Sequence, residues 1–567
     1  MIAASLLACV SAPPSAPSAS PAPPPPPPSD AIYFVLVDRF ANGSPDAPGT
    51  VSPADPQGFH GGDLAGVIGQ LDHIQDMGFG AVWLSPITQM RTEKIDEWGA
   101  FHGYWVADLA ALEPRFGTLT QAKDLAEGLR ERDMDLYLDM VYNHVGYDTP
   151  LVSEHPEWFH GRGDILDWSD EVQVRTHDVH GLPDLAQDHE AVYAHLLSSS
   201  MHWIDLLHPK GFRVDAVRHL DAGFLARLAN DLHGTAGADF ERIGEVFEGD
   251  PSRLARSLSE DQLTSVFDFP LHYALRDVFC DGQPMGRIAS ILAQDSLYGA
   301  GVPPLVTFLD NHDRPRIGDC QRAPLALAFL LTARGRPALT YGTEIRALGA
   351  EEPHNRGDMT FGLAHPMESD IRTWLRLRAS STAARQGRTV THELTPTWLL
   401  QSRQVDDEAL LIAINLGDAP VSVSPKAQLG PVEVVSRWSV DDRTHPIDTE
   451  EHGSSVPPQS MQIWQLRGAF PVRPPAVATV TIEVAQAPGQ GPAVLVGGGT
   501  LGGWDPIRGV EGKRLSDGRT TLTLQRPVGD VLAYKLAITP DNPTWEDRSN
   551  RYLLVTGDTN LTHTWGQ

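Results

Sequence analysis

The chain contains little cysteine and little positive charge. Three of its 567 residues are cysteine (Cys9, Cys280 and Cys320), and no C-x-x-C pair occurs. A disulfide-rich scaffold is therefore excluded, and no zinc or redox site of the C-x-x-C type is predicted. Lys and Arg number 44 against 73 Asp and Glu, giving a formal net charge of −29, which argues against a nucleic-acid surface. No apolar stretch is long enough to span a bilayer, and the sequence leaves open whether Cys280 and Cys320 pair or stay as buried free thiols.

The first 30 residues are not expected to belong to the fold. A short apolar stretch ends in Leu6-Leu7-Ala8-Cys9, which resembles a bacterial lipoprotein signal, and a segment rich in Pro, Ala and Ser follows. That composition predicts an extended polyproline spacer. No positively charged region precedes the apolar stretch, so an ordinary signal fragment or an upstream start is the alternative. We expect residues 1–30 to be signal and linker of an exported protein, extracellular or held at the cell surface by a lipid on Cys9.

From residue 31 to about residue 385, apolar strand-like segments alternate with helix-like ones. The runs are nearly continuous, which is typical of strands buried on both faces. The predicted strands are Ile32–Val37, Ala81–Leu84, Leu136–Val141, Phe212–Val217, Ile243–Phe247, Ser265–Phe269, Leu305–Leu309 and Ala338–Tyr341. The clearest predicted helices are Leu64–Met77, Leu119–Arg132 and Ala191–Leu207. Eight strands in β/α alternation predict a closed (β/α)8 TIM barrel over residues 31–385.

The rest of the chain departs from that rhythm. Residues 145–190, after the third strand, contain no clear helix and are predicted to form an inserted subdomain. From about residue 386 short alternating strands predict a β-sandwich over 386–469. A Pro-rich join, Phe470 to Val477, separates it from a second all-β domain over 477–567. The predicted fold class is α/β: a TIM barrel with a subdomain inserted after strand three, followed by two all-β sandwich domains.

Three acidic residues follow predicted barrel strands. Asp215 lies in the run Gly211–His219, Glu245 ends a third apolar strand, and Asp313 closes the run Phe308–Asp313. TIM barrels carry their chemistry at the C-terminal ends of the strands, and a buried carboxylate is costly unless it is paired or functional. One such residue alone indicates an ion pair or a helix cap. Three acidic residues at the same face of the predicted barrel favour a catalytic role.

Seven motifs, in this order along the chain, resemble those of the α-amylase family, glycoside hydrolase family 13. They are His102–Trp105, Asp139–His144, Leu182–Leu185, Gly211–His219, Gly244–Phe247, Phe308–Asp313 and Gly335–Glu344. The resemblance covers roughly Ile32 to Leu466. It implies an endo-acting α-amylase, expected to be monomeric, that hydrolyses α-1,4-glucosidic bonds of starch, maltooligosaccharides or glycogen-like glucans.

The same resemblance assigns the catalytic roles. Asp215 would be the nucleophile that forms a covalent glycosyl-enzyme, and Glu245 the general acid and then the base. Asp313 would stabilise the transition state. Arg213 shares a strand face with Asp215 and would keep it ionised. Glu245 must be protonated at rest, so we expect an apolar site around it, to which the two apolar residues that follow it contribute.

Four further residues are assigned to sugar binding by the resemblance. His144 and His312 would bind hydroxyl groups beside the cleaved bond, and Tyr104 would be the aromatic platform under the same sugar. Arg218 stands where many relatives have Lys, which contacts the sugar on the leaving side. Arg donates with a different geometry, so the preferred leaving group is open. The alternative for each His and for Tyr104 is ordinary core packing.

A Ca²⁺ site is also implied by the resemblance. Asn143, Asp184 and the backbone oxygen of His219 occupy the matching positions, and hard cations prefer such oxygen ligands. The ion would fasten the long third loop to the barrel. A fourth protein ligand cannot be identified; Asp167 and Asp170 are possible choices.

The last domain resembles a starch-binding domain, carbohydrate-binding module family 20. Trp504 and Trp545 would stack on successive glucose rings, and Lys535 and Asn550 would bind hydroxyl groups. The alternative is that both indoles belong to the core. The matching runs are Leu501–Pro506, Tyr534-Lys535, Thr544–Glu546 and Asn550-Arg551.

Two other functions are weighed against an α-amylase. A transglycosylase of the same family, of cyclodextrin-forming or maltogenic type, would use the same acids. Cyclodextrin-forming enzymes usually carry an extra domain before the starch-binding module, and the short join at Phe470 to Val477 leaves no room for one, which favours hydrolysis. A non-catalytic glucan-binding surface lipoprotein is disfavoured because all three acids are present.

Overall fold

A computed structural model of the chain describes residues 28–565 apart from 46–47, 261, 363–365, 442–446, 449–454, 473, 486–491 and 539–542. The lipid attachment predicted at Cys9 lies outside the described residues. Among the helices of the described part, none combines the length and the apolar character that a membrane crossing requires.

Eight parallel strands close into a barrel, which confirms the predicted fold class. The strands are β1 (Ile32–Val35), β2 (Ala81–Leu84), β3 (Asp135–Met140), β4 (Gly211–Val214), β5 (Glu241–Gly244), β6 (Ser265–Phe267), β7 (Leu305–Thr307) and β8 (Arg336–Thr340). Each pairs in parallel with the next along the chain, and β8 pairs with β1. Their carboxyl ends therefore meet at one mouth of the barrel.

The strand β4 ends earlier than its apolar pattern predicts. It stops at Val214, whereas the apolar run continues to Val217. The backbone N–H of Asp215 still donates to the carbonyl of Met140 at 3.0 Å, but Ala216 then adopts φ 49° and ψ 40° and begins a 3₁₀ turn. The predicted strand is too long because the residues of the turn are partly buried, as the residues of the strand are.

The helices of the barrel domain cover the outside of the strands. The predicted helix over Leu64–Met77 is two helices that meet at Gln70. The helices between residues 37 and 386 are Val37–Phe40, Leu64–Gly69, Leu71–Met77, Leu119–Arg130, Pro150–Glu154, Glu171–Thr176, Glu190–Leu207, Phe224–Ala236, Pro251–Glu260, Phe269–Phe279, Gly286–Leu292, Ala323–Thr332, Pro366–Ser380 and Thr382–Gln386. Two of them, Pro150–Glu154 and Glu171–Thr176, are short helices inside the segment 145–190.

A six-stranded sheet follows the barrel. Its strands, in spatial order, are Arg388–Leu394, Trp398–Val405, Glu408–Asn415, Ser460–Arg467, Glu433–Asp441 and Ile447–Asp448; a small pair, Val421–Ser422 with Ser455–Val456, and the helix Pro425–Leu429 accompany it. Leu410 and Ile412 belong to the core shared with the barrel, whereas Leu411 and Ala413 belong to a second core on the other side. The alternation follows from the two-residue period of a strand.

The last domain consists of two packed sheets. One contains Lys513–Arg514, Thr520–Pro527, Val477–Ala485 and Thr559–Thr564; the other contains Val510–Glu511, Ala493–Gly497, Val531–Ile538, Thr544–Trp545 and Arg551–Leu554. Side chains such as Val480, Leu495 and Leu536 from both sheets form its core.

This domain packs directly against a barrel helix. Gly286 opens the helix Gly286–Leu292, and a Cβ atom at this position would lie 2.2 Å from the ring of Tyr552. Only glycine allows an approach this close. The C-terminal domain is therefore docked on the barrel, although the chain connects it to the six-stranded sheet.

A disulfide joins Cys280 and Cys320, whose Cα atoms are 5.0 Å apart. Cys280 caps the C-terminus of the helix Phe269–Phe279, and Cys320 precedes the helix Ala323–Thr332. The bond fastens the segment that follows β7, and with it Asp313, to the neighbouring helix.

Candidate active site

Arg213 links two of the predicted catalytic acids at the carboxyl mouth of the barrel. Its side chain, in β4, is 1% exposed. One terminal nitrogen lies 2.7 Å from Asp215 Oδ1 and 2.8 Å from Asp139 Oδ1, and the other lies 2.6 Å from Glu245 Oε1. The rigid guanidinium fork thus holds Asp215 and Glu245 side by side.

Glu245 is buried in polar surroundings, which corrects the expected apolar site. Its Oε2 accepts a hydrogen bond from the backbone N–H of Ala216 at 3.1 Å. Burial raises the pKa of Glu245 to about 8, with help from the charges of Asp215 and Asp313 and against the opposing charge of Arg213. Burial therefore favours the protonated form of Glu245, as the resemblance implies, although the groups that contact it are polar. Phe247, which was expected to help enclose it, is 41% exposed and packs against Phe269.

Asp313 lies between His312 and Arg356. Its Oδ2 is 3.1 Å from His312 Nε2, and its Oδ1 is 2.9 Å from a terminal nitrogen of Arg356. Burial alone would raise the pKa of Asp313, but His312, Arg356 and Arg213 outweigh it and lower the pKa overall. Arg356 also donates from Nε to the carbonyl of His312 at 2.8 Å. Sequence reasoning missed Arg356, which lies outside every motif.

Asp139 is a second residue that sequence reasoning left without a role. Besides Arg213, it accepts hydrogen bonds from Trp83 Nε1 at 3.1 Å and from the hydroxyl of Tyr104 at 2.8 Å. Burial raises the pKa of Asp139 to about 7, although Arg213 opposes the shift. Asp139 positions both Arg213 and Tyr104, and its place at the start of a quoted motif was the signal available.

Three of the four residues assigned to sugar binding lie together. The ring of Tyr104 stacks on that of His312, with centroids 5.0 Å apart and planes 2° apart. His144 Nε2 lies 3.2 Å from the carbonyl oxygen of Tyr104. Arg218 is further out, on the 3₁₀ turn after β4, and donates to the carbonyl of Trp168 at 3.4 Å. Arg218 thus contacts the third loop.

The residues predicted to bind Ca²⁺ converge on one point. Residues 143–145 pair with residues 183–185, which places Asn143 beside Asp184. If the nitrogen of the Asn143 amide faces the His219 carbonyl and Asp184, it donates to that carbonyl at 2.8 Å and to Asp184 Oδ1 at 3.2 Å. If the amide oxygen faces these two groups, three oxygens meet and need a cation between them. The residues fit a hard cation.

The two acids considered for a fourth ligand are engaged elsewhere. Asp170 caps the helix Glu171–Thr176 by accepting from the N–H groups of Val172 and Gln173. Asp167 accepts from the N–H and the hydroxyl of Ser169. Neither is part of the Asn143 cluster by these contacts.

The four residues assigned to starch binding lie in or beside the strand Val531–Ile538. Trp545 pairs with Ala537, on the same face as Lys535, and Asn550 precedes the strand that pairs with Tyr534. Trp504 N donates to the carbonyl of Gly497, next to the partner of Lys535. Neither Trp504 nor Trp545 belongs to the core of the domain, and Trp545 is 37% exposed. Trp504 has φ 65°, which is strained for a bulky residue and is common at functional sites.

Comparison with known proteins gives consistent matches. The family model "Alpha amylase, catalytic domain" matches residues 34–373. The "Beta/alpha-amylase" of Paenibacillus polymyxa is 30% identical over 384 residues, 63% of this chain; the aligned part is 31% of that longer protein, so the chain spans less than a third of its length. The crystal structure of an Anoxybacillus α-amylase is similar with a TM-score of 0.70 and 30% identity, over 78% of this chain and 98% of that one. CldA, described as a cyclomaltodextrin glucanotransferase with a three-domain ABC distribution, is similar with a TM-score of 0.67 and 26% identity, over 77% of this chain and 99% of that one.

Proposed function

Because this chain belongs to the alpha-amylase family, we propose that it hydrolyses α-1,4-glucosidic bonds of starch and related glucans with retention of configuration. The observation that carries the proposal is the contact of Asp215 and Glu245 with one guanidinium, that of Arg213. Retaining glycosidases have their two carboxyl groups about 5–5.5 Å apart, whereas inverting enzymes need a wider gap for a water molecule. Two carboxyl groups on one guanidinium favour the narrow spacing.

In the first step, Asp215 attacks the anomeric carbon. Its carboxylate forms a bond to that carbon while the glucosidic bond breaks, and Glu245 donates its proton to the departing oxygen. Arg213 places a positive charge 2.7 Å from Asp215, and burial keeps Glu245 protonated. The ionised Asp313 stabilises the positive charge that develops on the sugar ring.

In the second step, Glu245 acts as a base. It takes a proton from water, whose oxygen attacks the anomeric carbon and displaces Asp215. Two inversions give net retention. Tyr104 and His312, stacked next to Asp313, offer a flat surface and a ring N–H to the reacting sugar.

The stereochemistry of the first product tests the proposal. We expect proton NMR of a maltooligosaccharide digest to show the α-anomer before mutarotation produces the β-anomer. An initial β-product would rule out retention. Absence of any cleavage, with the chain folded, would support the glucan-binding alternative.

Transglycosylation is the second function to be considered, because CldA is similar over 77% of this chain. Its three-domain arrangement also shows that a missing extra domain does not by itself favour hydrolysis. The two outcomes differ only in whether water or a sugar hydroxyl attacks the glycosyl-enzyme. Chromatography of the same digest distinguishes linear hydrolysis products from cyclic or lengthened ones.

The pH dependence of the activity should follow Glu245. The acid is needed in its protonated form, so we expect kcat/KM to be maintained below, and lost above, about pH 8, where the buried Glu245 ionises. The measurement is a pH profile of kcat/KM on maltopentaose. An aryl maltoside whose phenol leaves without protonation is the control, and its alkaline loss should be smaller. An equal loss with both substrates would assign the alkaline limb to another group.

We propose Ca²⁺ as the ion held by Asn143, Asp184 and the His219 carbonyl, where it would fasten the segment 145–190 to the barrel. An ion that binds only the folded chain stabilises it by about 2.7 kcal/mol at a hundredfold excess over Kd. We expect a chelator to lower the Tm in calorimetry, and Ca²⁺ but not Mg²⁺ to restore it. An unchanged Tm, with no calcium by elemental analysis, would contradict the site.

For the C-terminal domain we propose starch binding through Trp504 and Trp545, supported by their position outside the core. Replacing both with Ala should abolish binding to starch granules and slow raw-starch digestion, because stacking surface is lost. Hydrolysis of short oligosaccharides should barely change. Lys513→Ala, on the other sheet, is the control. Normal granule binding by the double variant would contradict the assignment.

Export remains a prediction from the sequence. If Cys9 carries a lipid, the native protein should partition into a detergent phase, and Cys9→Ala should release it. Recovery of the wild type only in the aqueous phase would favour an ordinary signal.

A further inference from the structure

A cluster of metal-ligating side chains lies beside the proposed Ca²⁺ site and outside the catalytic centre. His160, Asp188 and Asp221 each present a ligand atom, and these atoms lie within 4.8 Å of one another. None of the three was singled out by the sequence motifs. His160 comes from the third loop, Asp188 precedes the helix Glu190–Leu207, and Asp221 follows the 3₁₀ turn after β4.

The backbone holds these three segments together. The N–H of His160 donates to the carbonyl of Asp184 at 3.1 Å. The N–H of Asp188 donates to Asp221 Oδ2 at 3.1 Å, and the N–H of Asp221 donates to Gln187 Oε1 at 3.0 Å. The cluster is therefore organised by hydrogen bonds that do not depend on an ion.

The imidazole of His160 is oriented by a buried carboxylate. Nδ1 lies 2.5 Å from Asp184 Oδ2, and the side chains are 9% and 1% exposed. Nε2 points the other way and lies 3.8 Å from Asp221 Oδ2, which is beyond hydrogen-bond distance. A carboxylate on one ring nitrogen, with the other nitrogen directed at further ligands, is the arrangement that orients a metal-binding histidine.

We propose that His160 Nε2 and the carboxylates of Asp188 and Asp221 bind one divalent transition-metal ion of the zinc class. The separation of 3.8 Å is shorter than two metal–ligand bonds of about 2.0–2.1 Å laid end to end, so one ion can reach both atoms. One imidazole and two carboxylates suit Zn²⁺, whereas Ca²⁺ takes oxygen ligands. Asp188 is exposed, which leaves an entry path and room for a water ligand.

Asp184 would connect this ion to the Ca²⁺ site. Its Oδ1 faces Asn143 and the His219 carbonyl, and its Oδ2 faces His160. The two sites share no ligand, so they can be told apart by mutation. The competing occupant of the new site is a proton on His160, which would pair with the same carboxylates.

Zinc binding by the full chain tests the proposal. The protein is saturated with Ca²⁺ and titrated with Zn²⁺ by calorimetry, with elemental analysis after gel filtration. We expect one Zn²⁺ per chain in addition to calcium. His160→Asn keeps an amide N–H near the position of Nδ1, so it can still donate to Asp184 while Nε2 is lost. Asp221→Asn removes a ligand charge from a different segment, which covers the case in which the first variant does not fold.

Each variant should weaken Zn²⁺ binding by at least about the 10–100-fold that loss of a supporting residue costs. His155→Asn removes a histidine that is 3.2 Å from Glu157 in an exposed pair, and it should bind Zn²⁺ like the wild type. The proposal is overturned if the calcium-saturated wild type takes up no Zn²⁺, which would leave a proton on His160. It is also overturned if both site variants, shown to be folded by circular dichroism, bind Zn²⁺ unchanged. Loss of Zn²⁺ in Asn143→Ala but in neither of them would place the zinc in the calcium site and overturn the proposal equally.

Discussion

Asp215→Asn and Glu245→Gln are each expected to lower kcat on maltooligosaccharides by roughly 10⁴–10⁶-fold, the range seen when a nucleophile or its proton-transfer partner is removed. Asn cannot form the glycosyl-enzyme, and Gln cannot donate a proton to the departing oxygen. Both substitutions keep the size of the side chain, so the contacts around Arg213 lose a charge but no volume. Single-turnover and steady-state kinetics on maltopentaose give the measurement.

A substrate with an acidic phenol as leaving group separates the two roles. Glu245→Gln should keep much of its cleavage of such a substrate in the first step, because little protonation is needed. Asp215→Asn should lose the cleavage of this substrate. Asp72→Asn, on the exposed surface of the barrel, is the matched control and should behave like the wild type. Hydrolysis near the wild-type rate by either active-site variant would falsify the assignment of its role.

Arg213→Met should abolish activity and also destabilise the fold by about 3–5 kcal/mol, the usual result of breaking a buried ion pair from one side. The side chain is 1% exposed and contacts Asp139, Asp215 and Glu245. Without it, three carboxyl groups share a buried site with no guanidinium among them. Urea unfolding, followed by tryptophan fluorescence, measures the change.

The matched control is Arg227→Met. Arg227 forms an exposed two-point ion pair with Glu190, and exposed pairs contribute little to stability because solvent screens them. The stability of Arg213→Lys should lie between those of the wild type and Arg213→Met, because the point charge of Lys cannot contact three carboxyl groups as the planar guanidinium does. If Arg213→Met is no less stable than Arg227→Met, the network around Arg213 is not a structural element of the barrel.

The barrel was predictable because its eight strands are buried on both faces and read as separate apolar runs. Their ends were less predictable. At β4 the pattern ran on to Val217, since hydrophobicity reports burial and does not report the left-handed turn at Ala216. The break at Gln70 between two helices was missed for a similar reason, because the apolar period continues across it.

The proposed site was predictable where residues lie in motifs and unpredictable where it depends on tertiary contacts. Asp215, Glu245 and Asp313 are all carried by short runs. Arg356 reaches Asp313 from 43 residues further along the chain, and nothing in its neighbours indicates this contact. Burial raises the pKa of Glu245, as an apolar site would, but the groups around it are the polar side chains of Arg213, Asp215 and Asp313. The polar neighbours of Glu245 come from distant parts of the chain, so the residues next to it in the sequence do not reveal them.

The close contact of Gly286 with Tyr552 bears on how the C-terminal domain would serve the enzyme. A domain on a free linker lets the catalytic domain search a wide volume around its attachment point. A docked domain has a fixed offset and orientation, so a glucan held at Trp504 and Trp545 would be presented at one distance and from one direction. In that arrangement the domain works as a rigid spacer, and the branch spacing and packing of the glucan, more than its concentration, would decide which bonds come within reach.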